Sequence, residues 1–207
     1  MIKKNKSKKA VTLVELVIVL SLMSIVTMLV FNFVSISQRQ SKSLEIKQEL
    51  QHDGNMISES MMKNILHCKS IEKVEGVNPS SINDNSIKSI TVNLNGEGYL
   101  PSKPSITNVE QIEYRLVNGE LKLIAWQRLN STDINLIERE IQTIVKNVKE
   151  IKIVNKDILS QLASKPLDST EVEKEIKKQK GINLEILLEK EGIVHKHTFE
   201  LNLRNSD

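Results

Sequence analysis

Glu15 is the residue whose surroundings demand most explanation. It stands in KKAVTLVELVIVLSLMSIVTMLVFNFV, residues 8–34, as an acid inside an otherwise apolar run. At the centre of a bilayer such an acid costs about 2.5–3.5 kcal/mol, and less near the interface. The positive end of a helix offsets part of that cost when the acid sits in the first turn. A cationic partner within the membrane would offset more, and a free amine on Val11 would supply one if the Ala10–Val11 bond were cut. Elsewhere, His195 and His197 form an H-x-H pair on one strand face together with Phe199. Two imidazoles at that spacing can share a metal, but no further ligand is near in sequence, and the pattern reads first as a partly buried sheet face. Asn83-Asp84-Asn85 offers oxygen ligands of the kind calcium takes, though with one carboxylate it reads first as an Asx turn. Cys68 is alone, so it forms no intrachain disulfide and reads as a small buried hydrophobe. Trp126, the one tryptophan, reads first as a core residue, with a contact residue on the hairpin as the alternative. No glycine-rich phosphate loop, nucleophile elbow, metalloprotease motif or cysteine cluster occurs. No catalytic site, no metal and no cofactor is expected, and the chain does not read as an enzyme.

The elements that position Glu15 are plain in the composition. Five lysines (Lys3, Lys4, Lys6, Lys8, Lys9) precede the apolar run and no acid does. The formal charge of +3 comes from 29 basic and 26 acidic residues; without residues 1–10 the balance is 24 to 26, or −2. The basic character belongs to the leader, and no nucleic-acid affinity is inferred from it. Aromatic residues make up only 3% of the chain, which excludes a base-stacking surface. From Leu16 to Gln38 there is no charge. At 1.5 Å per residue this stretch makes a helix of roughly 35 Å, enough to cross the hydrocarbon. The lysines place the N-terminal side in the cytoplasm and the rest of the chain outside, as a single-pass membrane protein. The run is longer than a secretory signal, and only the weak Val34-Ser35-Ile36-Ser37 follows it as a cleavage site.

Ala10-Val11-Thr12-Leu13-Val14-Glu15-Leu16, after a lysine-rich leader and before the apolar run, resembles the class III signal of type IV prepilins and pseudopilins. The usual form there is Gly-Phe-Thr-Leu-Val-Glu-Leu; Thr12 to Leu16 match it, while Ala10 and Val11 stand in place of Gly and Phe. The resemblance implies cleavage after Ala10 by a membrane prepilin peptidase, and methylation of the new N-terminus on Val11. It further implies that Glu15 pairs with the N-terminal amine of a neighbouring subunit during assembly. The implied partners are the peptidase/methyltransferase, other pilins or pseudopilins, an inner-membrane assembly platform and membrane lipid. The anchor lacks the helix-bending Gly and Pro that major pilins commonly carry, Ser24 and Asn32 taking those places, which leans towards a minor subunit. Retention of Glu15 places it below the tip, in an initiating or priming role. Type IV pili, type II secretion and competence machinery all use such subunits. The alternative from another class is a membrane-anchored extracellular binding domain, an adhesin or a DNA-uptake receptor, acting outside a filament.

The remaining pattern predicts an α+β fold, a long N-terminal helix packed on an antiparallel β-sheet head, as pilins are built. Ile46, Leu50, Ile57, Met61, Ile65 and Cys68 recur on one face of a continuing helix, with Gly54 as a local weak point. A helix from Val11 to about Cys68 would be some 87 Å long. Strands are predicted around Ile90–Leu94, ending at Asn95-Gly96, and around Ile151 and Ile153. Two hairpins are predicted, one over residues 110–127 turning at Asn118-Gly119, and a closing one turning at Glu191-Gly192 and ending near Leu203. Residues 134–148 read as a short helix leading into a strand. The charged segment 156–180 reads as a partly helical surface insertion, with Glu171 to Lys180 a solvated face. The organisation is a leader (1–10), a transmembrane helix half (11–38), an amphipathic helix half (39–70) and the head (71–207). The succession from Tyr114 onward loosely resembles the larger minor pseudopilins.

Overall fold

The computed structural model describes residues 12–65, 68–76, 86–94, 99–100, 103–128, 135–155 and 181–202. Ala10, Val11, Asn83–Asn85, Asn95-Gly96, segment 156–180 and Leu203 lie outside the described residues. One helix, α1, runs over Leu13–Ile65. Ten strands follow: β1 (Cys68–Glu75), β2 (Ser89–Leu94), β3 (Tyr99–Leu100), β4 (Lys103–Thr107), β5 (Val109–Val117), β6 (Glu120–Gln127), β7 (Ile137–Val145), β8 (Val148–Ile153), β9 (Gly181–Lys190) and β10 (Ile193–Asn202). The chain divides into two compact units, Met1–Glu45 and Ile46–Asp207.

In the first unit the described helical residues leave their apolar side chains outward, Leu29 being 63% and Phe31 72% exposed. Such a surface cannot face water over this length, and α1 is long and apolar enough to cross a membrane. The hydroxyls inside it are tied down. Ser21 donates to the Val17 carbonyl, Ser24 to that of Ser21 and Thr27 to that of Met23, each at 2.8 Å. A polar group returned to its own helix costs little in lipid, where no water would satisfy it.

The second unit is the predicted α+β arrangement. Its sheets have the order β1-β2-β5-β6-β7, β10-β9-β8 and β3-β4, and all pairings are antiparallel. Ile46, Leu50, Ile57, Met61 and Ile65 of α1 are buried in one core cluster with Val92, Ile112, Leu123, Ile186 and Leu188 of the strands. The 110–127 hairpin is present as β5–β6. Asn118 (φ 51°) and Gly119 (φ 78°) both take the left-handed region that a two-residue type I′ turn requires. Glu191 (φ 49°) and Gly192 (φ 77°) do the same between β9 and β10.

Two expectations fail, for one reason. Residues 137–145 form strand β7, with no helix. Its pairing with β6 shifts register between Leu123 and Ile124 and again between Leu121 and Lys122. Each shift inserts an extra residue in β7, Ile141 and then Ile144. Those bulges break the two-residue period and leave apolar residues at intervals of four and three, which mimic a helix. Cys68 is not the last residue of the helical face: α1 ends at Ile65 and Cys68 opens β1. β1 itself is irregular, with shifts at Cys68/Ser70 and Ile71/Lys73, so its strand pattern is hidden in the same way.

Gly54 also changes meaning. It is buried, and a Cβ placed there would lie 2.8 Å from Cγ of His197 and 3.0 Å from its Cβ. The glycine is the seat for an imidazole from β10. Replacing it with Ala should gain about 1 kcal/mol in helix propensity. The same replacement forces the root of a packed ring to move, at about 1–3 kcal/mol. We expect Gly54→Ala to be destabilising in urea unfolding followed by tryptophan fluorescence. In a His197→Ala background the same substitution should become neutral or stabilising.

Candidate functional site

The first turn of α1 is where the structure gives the sequence-predicted acid a concrete environment. Thr12 precedes the helix, and Glu15 lies three residues on, in its first turn. The Thr12 backbone N–H donates to Glu15 Oε2 at 3.0 Å and the Thr12 hydroxyl donates to the same oxygen at 3.1 Å. In return the Glu15 N–H donates to Thr12 Oγ1 at 3.3 Å. This is a capping box: two N-terminal N–H groups that the helix leaves unpaired are satisfied reciprocally. The first intrahelical bond, Leu16 N–H to the Thr12 carbonyl at 3.2 Å, closes the turn behind it. The carboxylate is thus held at the positive end of the helix, and its contacts with Thr12 all fall on Oε2. Thr12 entered the sequence reading as a motif match, and its own role was missed there. The Thr-x-x-Glu spacing ahead of an apolar run was the signal that announced it. Ala10 and Val11, the proposed processing positions, lie outside the described residues.

The other candidates resolve as packing. His195, His197 and Phe199 share the inward face of β10, with ring centroids 6.3 Å and 5.7 Å apart in succession. His197 Nε2 lies 3.2 Å from Ser58 Oγ on α1, and the ring rests over Gly54. Among the described residues no group of three or more His, Cys, Asp or Glu side chains is placed to hold a metal. Cys68 is free and fully buried; its thiol donates to the Asn64 carbonyl at 3.3 Å, and burial pushes its pKa up to about 12. It is the inert hydrophobe expected. Next to it, Asn64 donates to Tyr114 Oη at 2.8 Å, and Tyr114 donates to the Ser60 carbonyl at 2.9 Å. That pair ties the end of α1 to the central strand β5. Trp126 is not a core residue: it is half-buried, and its Nε1 donates to Glu113 Oε2 at 3.1 Å.

A family model for the prokaryotic N-terminal methylation motif matches residues 5–31. The chain carries a type IV prepilin signal. That segment contains three of the five leader lysines (Lys6, Lys8 and Lys9), the Ala10–Val11 bond, the Thr12–Glu15 box and most of the uncharged stretch. The prepilin signal marks a precursor for prepilin peptidase and a structural, membrane-anchored subunit that assembles with other pilins. The long helix and the antiparallel sheets give the type IV pilin-like α+β architecture that goes with it. No curated protein and no solved structure matches the chain.

The His197 contact has a pH consequence. Burial first, and the neighbouring His195 second, lower the His197 pKa. A histidine whose folded pKa is depressed contributes stability that is fully present above the unfolded value near 6.5. That stability is lost as the pH falls below it, because the unfolded chain takes up the proton more readily. Asp53, raised by burial and by Glu49, acts in the opposite sense at a lower pH. Unfolding measured across pH 8 to 5 should show stability falling below about pH 6.5. The His197→Gln variant should flatten that slope.

Proposed function

We propose that this prepilin is a minor subunit of a type IV pilus-like filament, in a pilus, a type II secretion system or a competence pseudopilus. Prepilin peptidase cuts after Ala10, and the amine of Val11 is methylated. The lysine-rich leader stays on the cytoplasmic side, residues 16–38 hold the subunit in the membrane, and the head lies on the extracytoplasmic side. Extraction into the filament proceeds through α1, with the assembly platform and neighbouring pilins as partners. The observation that carries this reading is the Thr12–Glu15 box at the head of the uncharged stretch 16–38, inside the segment matched by the methylation motif.

The chemistry is a single charge exchange. Before assembly, Glu15 is satisfied by Thr12 and by the helix N-terminus. That arrangement leaves a net negative charge at the edge of the hydrocarbon. The amine freed on Val11 of a neighbouring subunit carries the opposite charge, and in a low-dielectric medium the two attract strongly when they meet. The retained acid and the unbroken anchor, in which α1 is helical throughout Leu13–Ile65, support an initiating role.

Glu15→Gln keeps the shape and the capping geometry but removes the charge. The variant should be inserted and processed at the wild-type rate. Its incorporation into sheared filaments, scored by immunoblot against the membrane fraction, should fall at least about tenfold, the scale expected for losing one buried ion-pair partner. Incorporation at the wild-type level would show that the charge plays no part in assembly.

A further inference from the structure

The anchor carries a polar side chain that its own helix does not satisfy. Ser21, Ser24 and Thr27 return their hydroxyls to backbone carbonyls. Asn32 does not: it is exposed, and among the described residues no hydrogen bond engages its amide. That amide offers two donors and two acceptor lone pairs. The uncharged stretch 16–38 is centred on Thr27. Asn32 therefore lies about 7.5 Å from the midplane, inside a hydrocarbon layer with a half-thickness of about 15 Å. No water reaches an amide at that depth, so its partner must be another transmembrane segment.

The neighbours of Asn32 on the helix surface show what kind of segment fits. Steps of seven residues back from Asn32 reach Ile25 and Ile18, and three residues beyond each of these stand Ser35, Met28 and Ser21. These are the a and d positions of a heptad, and they form one seam along α1. β-branched residues at a, interrupted by one asparagine at a, are the pattern that selects two parallel strands in one register. The Ser21 hydroxyl is turned back to the Val17 carbonyl, which leaves a small surface where a second backbone can approach. The next a and d positions are Arg39 and Lys42, so the seam closes where the uncharged stretch ends.

A second copy meets these demands without further adjustment. Each copy inserts in the same orientation and to the same depth, because its own flanking charges set both. Two copies thus bring Asn32 to one level, and a carboxamide is complementary to itself, each amide donating to the oxygen of the other. We propose that the stored subunit forms a parallel, in-register dimer in the membrane, joined along Ile18, Ser21, Ile25, Met28, Asn32 and Ser35 with Asn32 paired to Asn32. This rests on the membrane-spanning reading of the anchor and is separate from incorporation into a filament. The Glu15–Val11 contact joins residues four apart in number, about 6 Å along the axis, whereas the Asn32 pair joins residues of equal number.

The test uses the full chain in membranes of cells lacking prepilin peptidase, where no processed subunit or filament forms. Single cysteines are placed on the seam (Met28→Cys, Ser35→Cys) and away from it (Val30→Cys, Phe33→Cys), then oxidised with copper phenanthroline. Cys68 is buried with its pKa pushed up to about 12, so the wild-type chain serves as the blank. We expect a disulfide-linked dimer of twice the chain mass from the two seam variants and only the blank level from the other two. Adding Asn32→Val to Ser35→Cys should reduce the dimer about tenfold, while Asn32→Gln should retain it. Alkaline extraction checks that each variant stays inserted. Equal cross-linking from both faces, no loss with Asn32→Val, or a seam adduct with a protein of another mass would each overturn the proposal. None of these outcomes bears on processing at Ala10–Val11.

Discussion

A carboxylate placed at the mouth of a helix that is uncharged from Leu16 to Gln38 must find its partners within reach, because lipid provides none. Glu15 finds the first of them in its own chain. Thr12 gives it a backbone and a hydroxyl donor, and the helix N-terminus gives it a favourable potential. That solution satisfies hydrogen bonding, and among the described residues no cation is paired with the carboxylate. An acid held by hydrogen bonds alone among the described residues is suited to a second, intermolecular partner. The same rule governs the rest of the anchor, where Ser21, Ser24 and Thr27 return their hydroxyls to the helix backbone. Charge is therefore confined to one position, where it can specify a contact.

Beyond Glu45 the demands on the helix reverse. Its partners are no longer lipid but strands, and the apolar residues narrow to one face. Three contacts of different kinds fix that face. Gly54 receives His197, Asn64 and Tyr114 share a buried hydrogen-bond chain, and Lys190 is bound to both carboxylate oxygens of Glu49. The first and third both anchor the β9–β10 hairpin, the closing element of the head. The histidine pair that spacing alone made a candidate metal site is thus part of the seam between that hairpin and α1.

Elements whose physics is local were legible in the sequence. Asn118-Gly119 dictates its hairpin because both positions need positive φ, and β9 and β10 keep strict alternation because their pairing has no bulge. The buried face of α1 follows directly from Ile46, Leu50, Ile57, Met61 and Ile65. What was not legible depends on partners distant in sequence. Ile141 and Ile144 are extra residues forced by the pairing with β6, and no local pattern announces them. Gly54 looks like a defect until His197 is seen above it, and Trp126 looks like core until Glu113 is seen to hold its indole. At the N-terminal site the acid was plain, whereas Thr12, three residues away, had its signal in the capping-box spacing and was read only as a motif match.

The intact mass and N-terminal sequence of the membrane-extracted chain, from cells with an active prepilin peptidase, decide whether Glu15 ever meets the partner assigned to it. The expected product begins at Val11 and carries one added methyl group on its amine. A chain that still begins at Met1 or Ile2 under those conditions would contradict the assignment, because the amine assigned to Glu15 would never be formed.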